Sequence, residues 1–493
     1  MVKSYESLMG AVARSVFFRP ERQMVRELLS RDARPQLVVN GADFPLFDLS
    51  MNGVSFLAPN GAGDWAVGEE IDLSLTLHGE EVYSGPARIA RAESGPRNGS
   101  LVGLGLKTGF LDLPEIIRQD NEKRLERELK EGPRPVNELV PEAYREVISR
   151  IVHFLSFYRR SLGEFEEHCN HHGAGTEACE GLAERAYESI RSPWWALQVE
   201  AAHAAAGCFE DRDMLIAAKE YTEDIVTPIV MESALGRRTY YKPLGYAGDY
   251  QTMLYIYSNS FEGDSVFGKA IHKFFPQDHP LGRGIRTRKD VIISLLEDEH
   301  GRVLREPTSS QMFRVASLGC GPALEVSEFI SRNRTWPGRV MWTLIDQEEE
   351  ALSAAYRASR REIGKWGSNA DLFLLNLSFV QMLSEGLPLR EPGSQDFIFS
   401  SGLFDYLRES RARVLIRALY DLLADGGLLL IGNAVAPNEF FWAAEFLVDW
   451  TLLYRTRDEV LGLGADLPES AELEVIEEPS GGYYFLKVRK RQN

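Results

Sequence analysis

Between Val315 and Glu325 the chain reads Val-Ala-Ser-Leu-Gly-Cys-Gly-Pro-Ala-Leu-Glu: an apolar run, a glycine-rich turn and the start of a helix. Gly319 and Gly321 lack a Cβ, so backbone there can approach a ligand closely. The helix start behind them offers free N–H groups. A glycine pair alone is common in turns, and here the context adds to it. The next apolar run, Val-Met-Trp-Thr-Leu-Ile-Asp, ends at Asp346, 25 residues after Gly321. A carboxylate at the end of a second strand is placed to accept hydrogen bonds from ribose hydroxyls. The turn reads G-x-G-P and not G-x-G-x-x-G, which leaves the cradle for a pyrophosphate incomplete.

Other stretches carry polar chemistry. Tyr240-Tyr-Lys-Pro-Leu-Gly-Tyr-Ala-Gly-Asp-Tyr250 combines phenols with glycine and proline punctuation, a composition suited to a lid and also to a packed turn. Tyr406 and Arg455 lie further on. Tyrosine and arginine donors beside an apolar channel would bind and orient a carboxylate, so Tyr241, Tyr246, Tyr406 and Arg455 are the catalytic candidates. Lys242 and Asp249 could position the loop. Arg283, Arg286 and Arg288 read as a solvated helix face, with carboxylate or acyl-carrier recognition as the alternative. His168-Cys-Asn-His-His172 with Cys179 matches no standard zinc spacing and reads as a solvated loop, so no metal is expected. Cys320 is expected to pack beside the cofactor and not to act as a nucleophile.

Three textures must position these residues. From about Arg34 to Leu113, short alternating runs are separated by Asn40-Gly41, Asn52-Gly53 and Asn98-Gly99, which predicts a small β-barrel or sandwich. The segment Glu21–Ser30 reads as a helix. From about Pro114 to Asp298 the pattern is helical, opening with a charged connector that ends near Gly132. From Phe313, apolar runs alternate with helices or loops, the pattern of a βα-type sheet with a last antiparallel edge. The expectation is multidomain: a barrel over 1–113, a helical substrate or lid domain over 114–310, and an α/β Rossmann-like domain over 311–493. Asn438–Trp450 reads as an aromatic amphipathic helix, mainly core, with part of its face toward substrate.

The motif order resembles class I S-adenosylmethionine-dependent methyltransferases over about 180 residues: the G-x-G-P turn, Asp346, a strand ending at Asn376, a strand ending Ser400-Ser401-Gly402, and Ala424-Asp-Gly-Gly427 before an apolar strand. The resemblance implies S-adenosylmethionine as cofactor. Gly319, Gly321 and Pro322 would line its methionine end, Asp346 its ribose, and Gln347, Asn376 and Leu377 its adenine. Ser400, Ser401 and Gly402 would lie nearest the sulfonium. Loop capping is the alternative for Asn376 and the serines.

The tyrosine-rich stretch, Gly263-Asp-Ser-Val-Phe-Gly268, Gly402-Leu-Phe-Asp-Tyr-Leu407 and Asp449–Arg455 resemble a bacterial family of extracellular-factor 3-hydroxypalmitic acid methyl ester biosynthesis proteins, from about Val140 onward. That resemblance implies methylation of a fatty-acid carboxylate. A carboxylate is anionic at pH 7 and needs no strong base. It needs alignment with the methyl group and exclusion of water.

Near the N-terminus, Asp48-Leu-Ser-Met-Asn-Gly53 resembles the D-x-S-x-x-G motif of PilZ domains, and Val102–Phe110 resembles their closing strand. The resemblance implies cyclic di-GMP binding through Asp48, Ser50 and Gly53, with Arg22 and Arg26 as the R-x-x-x-R pair. The helical reading of Glu21–Ser30 departs from that pattern, so a docking module without nucleotide stays open. Were the nucleotide bound, the connector helix would pass its effect to the lid.

The 493 residues hold 55 Lys+Arg and 73 Asp+Glu, a formal charge of −18. That balance disfavours a nucleic-acid polymer as partner. No apolar run of membrane-spanning length and no secretory leader pattern occur, and four scattered cysteines suit a reducing compartment, so a cytoplasmic place is expected. The expected partners are a small acyl carboxylate and cyclic di-GMP. The competing readings are N-methylation or cyclisation of the same cofactor, protein-carboxyl methylation, and a non-catalytic nucleotide sensor.

Overall fold

The computed structural model describes residues 23–491 apart from 25–28, 30–32, 34, 60–64, 95–99, 133–136, 172–180, 245, 306–311, 334–337, 378–394 and 437–440. The chain divides into two compact units, Met1–Pro135 and Val136–Asn493.

The first unit holds strands β1 (Gln23–Met24), β2 (Gln36–Val39), β3 (Ala42–Phe44), β4 (Leu46–Ser50), β5 (Gly53–Ala58), β6 (Glu70–Leu77), β7 (Glu80–Ser94) and β8 (Ser100–Leu106). They form one sheet in the order β1-β4-β5-β8-β7-β6-β2-β3, with every pairing antiparallel. Among the described residues no pairing joins β3 back to β1. Asn40 and Gly41 take left-handed backbone between β2 and β3, the conformation a tight hairpin demands. Alternation buries Ile71, Leu73, Leu75 and Leu77 of β6 with Val54, Phe56, Val102 and Leu104 in one core.

Helix α1 (Leu113–Glu131) starts where the Asp112 carboxylate accepts from the Glu115 N–H, and it adds Leu113 and Ile116 to that core. The connector helix therefore belongs to the first unit. Gln23–Met24 pairs with Leu49 and Asp48 as a strand, where a helix was expected. The pull of an unpaired neighbouring strand overrides local helix propensity there.

The second unit begins with α2 (Glu142–His171), α3 (Leu182–Ala205), α4 (Arg212–Ile225), α5 (Ala234–Tyr241), α6 (Tyr250–Ser258), α7 (Val266–Gln277) and α8 (Pro280–Arg305). Tyr144, Ile148, Ile151 and Leu155 recur at helical spacing on α2 and are fully buried. They share a core with Trp194, Phe267 and Phe274, and also with Trp442, Phe446, Trp450 and Tyr483 from the C-terminal part. A separate helical domain over 114–310 is thus not what forms. The helices and the sheet bury one another's apolar faces, and neither face is closed alone.

The sheet comprises β9 (Met312–Leu318), β10 (Arg339–Asp346), β11 (Ala370–Asn376), β12 (Gln395–Ser400), β13 (Leu423–Ala434), β14 (Glu472–Glu477) and β15 (Tyr483–Arg489). Its order is β11-β10-β9-β12-β13-β15-β14, and only β15 runs antiparallel to its neighbours. On one face α8 packs Ile292, Ile293 and Leu296 against Phe313, Val315, Phe397 and Phe399, together with helices α9 (Leu324–Arg332) and α10 (Glu349–Trp366). On the other, α11 (Glu409–Asp421) and α12 (Arg457–Gly462) cover Ala316, Leu318, Ile398 and Leu429.

Two local expectations change. Asp425-Gly-Gly427 does not precede its strand but bulges within β13, where Leu423 pairs with Gln395 and Leu428 already with Phe397. Gly426 supplies the left-handed backbone that this bulge needs. Of the aromatic stretch, Asn438–Phe440 lie outside the described residues, and the rest is a short helical turn from Phe441 that is π-wound over Ala443–Leu447. Trp442 is 1% exposed there, and its indole N–H donates to Tyr144 Oη at 2.8 Å, which makes this stretch core. No helix among the described residues is long and apolar enough to cross a membrane.

Candidate active site

The strand order reverses between β9 and β12, so the carboxyl ends of these neighbours open a crevice, the usual ligand site of such sheets. The glycine turn leaves β9 there. Gly319 (φ +58°), Gly321 (φ +52°) and Ala323 (φ +45°) all take left-handed backbone. Glycine bears this freely, whereas Ala323 carries strain of about 1–2 kcal/mol. A Cβ placed on Gly321 would meet no atom within 4 Å, so the ground before the turn is open.

Asp346 holds the turn in place. Its carboxylate accepts from the Gly321 N–H at 2.7 Å and the Glu348 N–H at 3.0 Å, and burial pushes its pKa up to about 6. Two carboxylate oxygens can take about four hydrogen bonds, so acceptor capacity remains. Gln347 is buried and donates to Glu348 Oε1 at 3.2 Å. The Asn376 amide donates to the carbonyls of Asp346 and Gln347, and the Leu377 N–H donates to Asp346 O, so these residues brace the loop. Ser400 Oγ donates to Leu318 O at 3.0 Å and ties β12 to β9. The residues present fit an adenosyl cofactor: an open glycine cradle lies one strand from a carboxylate at a strand end. Pro322 keeps its place in that turn. Cys320 is buried against Gly321 O, and burial raises its thiol well above the ordinary range.

Beyond Ser401 and Gly402 comes a single 3-10 turn, Leu403–Tyr406. Arg455 fastens it. The guanidinium donates to Phe404 O at 2.9 Å, to Leu407 O at 2.5 Å and to Asn433 Oδ1. With those donors directed at the protein, Arg455 is a brace and not an acceptor-binding group. Asp405 accepts from the Ala434 N–H at 2.7 Å and from Tyr483 Oη at 3.2 Å, and burial raises it to about 6.

The tyrosine-rich loop is clamped at both ends. Arg238 Nε donates to both oxygens of buried Asp249 at 2.8 Å, and Asp249 caps α6 at the Thr252 N–H. Lys242 pairs with Asp449. Between the clamps, Tyr246 stands edge-on to Tyr406 with ring centroids 6.5 Å apart. Burial, with the nearby carboxylates of Asp346 and Glu348, drives the Tyr246 phenol well above its usual pKa, so this loop reaches the cofactor corner. Tyr406 Oη accepts from the Trp450 indole at 3.0 Å, and its pKa is raised by burial. A Cβ on Gly248 would come within 2.6 Å of that oxygen, so only glycine lets the loop close here. Tyr246 and Tyr406 are therefore brought together. Tyr241 is 67% exposed and stays outside.

The residue that sequence reasoning set aside is Arg288. It is 4% exposed, not on a solvated face. Its guanidinium lies over the Tyr483 ring, 4.5 Å from the centroid, and would touch a Cβ on Gly402 at 3.2 Å. The spacing held a signal: Leu281, Ile285, Arg288, Ile292 and Leu296 form one buried stripe of α8. An arginine inside an apolar stripe marks a buried charge. Glu325, in the first turn of α9, is also buried, and burial raises it to about 7 against the pull of Arg288.

No protein-family profile matches the chain, and no curated protein matches it. Among solved structures it is similar to a possible exported protein from Bordetella parapertussis, at 18% identity over 56% of this chain and 88% of that one, with a TM-score of 0.42. It is similar to magnesium protoporphyrin IX methyltransferase from Synechocystis with bound S-adenosylmethionine, at 12% identity over 43% and 83%, TM-score 0.29. It is also similar to geranyl diphosphate C-methyltransferase from Streptomyces coelicolor, at 14% identity over 43% and 80%, TM-score 0.30. The strand order of the C-terminal sheet departs from that of a dinucleotide-binding sheet. An antiparallel strand sits between the fifth and the edge strand, where a dinucleotide-binding sheet ends on a parallel sixth.

In the first unit, Ser50 Oγ donates to Gly53 O at 3.0 Å and to Asn52 Oδ1 at 3.2 Å, which closes the β4–β5 turn. Arg22 and Arg26 lie outside the described residues. The register sets Asp48, Ser55, Gly103 and Arg91 side by side across β4, β5, β8 and β7. Arg91 lies across Gly103 and comes within 3.9 Å of Asp48 Oδ2. Ser55 Oγ, between them, is buried and has no hydrogen-bond partner among the described residues. Arg91 was missed because register between distant strands is not written in any local pattern.

Proposed function

We propose that the second unit is an S-adenosylmethionine-dependent methyltransferase that esterifies the carboxylate of a small acyl acceptor, such as a 3-hydroxy fatty acid. The observation that carries this reading is the open ground before Gly321 at the strand switch point, with Asp346 at the adjacent strand end. When bound, S-adenosylmethionine supplies a methyl group on a sulfonium. Gly319, Gly321 and Pro322 receive its methionine end, the remaining acceptor capacity of Asp346 takes ribose hydroxyls, and Gln347 and Leu377 border the adenine. Ser401 and Gly402 flank the reacting centre.

The acceptor is already anionic at pH 7, so no group has to remove a proton. Burial keeps Tyr246 and Tyr406 as neutral donors. Their phenols orient one carboxylate oxygen and leave the other free to attack, while the closed loop keeps water out. The test is incubation with methyl-labelled cofactor and a bacterial lipid extract. Base-labile label in lipid is the expected result. Base-stable label points to N-methylation, label in protein to a protein acceptor, and loss of cofactor without label transfer to cyclisation.

For the first unit, the row Asp48–Ser55–Arg91 supports cyclic di-GMP as an effector. A guanidinium stacks on guanine, and a carboxylate accepts from its donor edge. Saturating nucleotide is expected to change the methylation rate. An unchanged rate with no binding heat leaves the unit as a docking module.

A further inference from the structure

Arg288 is a buried cation without a counter-ion of its own. It is 4% exposed, and no carboxylate among the described residues forms an ion pair with it. Among the described residues its Nε has no hydrogen-bond partner, and Nη2 meets the Met253 sulfur at 3.7 Å. The Tyr483 ring lies beneath it, and the guanidinium donates to the Tyr257 hydroxyl. Asp405 is felt across space, but its oxygens accept from the Ala434 N–H and Tyr483 Oη. A buried charge left in this state costs far more than a buried hydrocarbon of the same size. Arginine stays protonated at any working pH, so the cost is not relieved by loss of a proton.

Two further observations mark a site. Gly402 has no side chain where the guanidinium arrives, so the cation lies at the carboxyl end of β12 beside the cofactor crevice. Glu325, close enough for Arg288 to act on it, has a buried Oε1 that also lacks a partner. A cation beside Gly402 and an acid in the first turn of α9, each with a buried polar atom unpartnered among the described residues, match a ligand that brings a carboxylate.

We propose that Arg288 is the anchor of a buried carboxylate-binding site at the end of β12. The proposal rests on the methyltransferase reading for the identity of the ligand and not for the site. Two carboxylates are available under that reading, the amino-acid end of the cofactor and the acyl acceptor. An arginine fork grips either one through two parallel hydrogen bonds.

The experiment compares wild type with Arg288→Met in the full chain by calorimetry and thermal melting. The probes are S-adenosylhomocysteine, 5′-methylthioadenosine (which lacks the amino-acid end) and 3-hydroxydecanoate. Arg288→Met is expected to fold and, without ligand, to melt close to wild type, because it keeps an apolar stem in the buried stripe of α8 and removes a charge compensated only in part by Tyr257, Tyr483 and distant Asp405. A merely structural arginine would lower the melt.

Loss of S-adenosylhomocysteine affinity by at least about 30-fold, with methylthioadenosine unchanged, assigns the cofactor carboxylate. Unchanged nucleoside binding with loss of the fatty acid assigns the acceptor. Equal binding of all three probes by a folded variant overturns the proposal. Failure of wild type to bind either nucleoside removes the methyltransferase reading instead. The carboxylate site is then judged by 3-hydroxydecanoate alone, which must raise the melting temperature of wild type and not of Arg288→Met.

Discussion

The two halves of the candidate site are built in different ways. The cofactor half uses β9, the glycine turn, β10 and the end of β11, all neighbours in sequence and in the sheet. The other half draws Arg288 from α8, Tyr246 from the loop before α6, Tyr406 from the turn after β12, Trp450 from the segment after β13 and Tyr483 from β15. The first half is a backbone device, with glycine conformation and N–H groups doing the holding. The second is a side-chain device whose members meet only when the helices close on the sheet. A substitution in the first should therefore damage ligand binding with little effect on folding, whereas one that breaks the packing or the buried hydrogen bonds of the second should cost stability as well.

The sharpest test of that contrast is Gly321→Val. The new Cβ meets no atom within 4 Å, so the fold should lose about 1–2 kcal/mol to backbone strain. Calorimetry should nonetheless show S-adenosylhomocysteine affinity down by about 100-fold or more, since the side chain fills the cradle. Arg455→Met should do the reverse. It strips partners from two carbonyls and Asn433, and chemical denaturation should report a loss of about 3 kcal/mol.

Glu325→Gln tests the electrostatics. The folded-state pKa of Glu325 is raised to about 7 from an ordinary 4.5, so the native protein holds its proton more tightly than the unfolded chain. Its stability contribution is full below pH 4.5 and is lost as pH rises through 7. The variant should flatten part of that decline and be more stable than wild type by about 2–3 kcal/mol at pH 8, measured by urea melts across pH. Asp346 and Asp405, each raised to about 6, leave a residual slope of the same sign.

Tyr406→Phe keeps the ring packing but removes one donor and strands the Trp450 indole N–H, so kcat should fall by about 10-fold and stability by about 1–3 kcal/mol. Tyr241→Ala is the control. At 67% exposure it should alter neither, and a large fall in kcat there would break the division into two halves.

Legibility in the sequence follows the same line. The glycine turn, Asp346 and the strand series could be read because each is a local pattern of apolar run, turn and helix start. Arg455 reads in the sequence as a donor to a carboxylate, and its carbonyl acceptors at Phe404 and Leu407 could not be seen there because they come from about 50 residues away. Arg288 was passed over as one of three arginines, although its place in the buried stripe of α8 was visible in principle.

The amino-acid sequence by itself determined the order of strands and helices, the glycine cradle and the carboxylate that braces it. These depend on short-range backbone preference and on alternation or helical spacing of apolar residues. Only the tertiary structure decided that the helices and the sheet form one unit, that the connector helix joins the first unit, and which phenols and cations face the crevice. Those outcomes depend on which apolar faces find each other. Burial then sets the cost of every charge left between them.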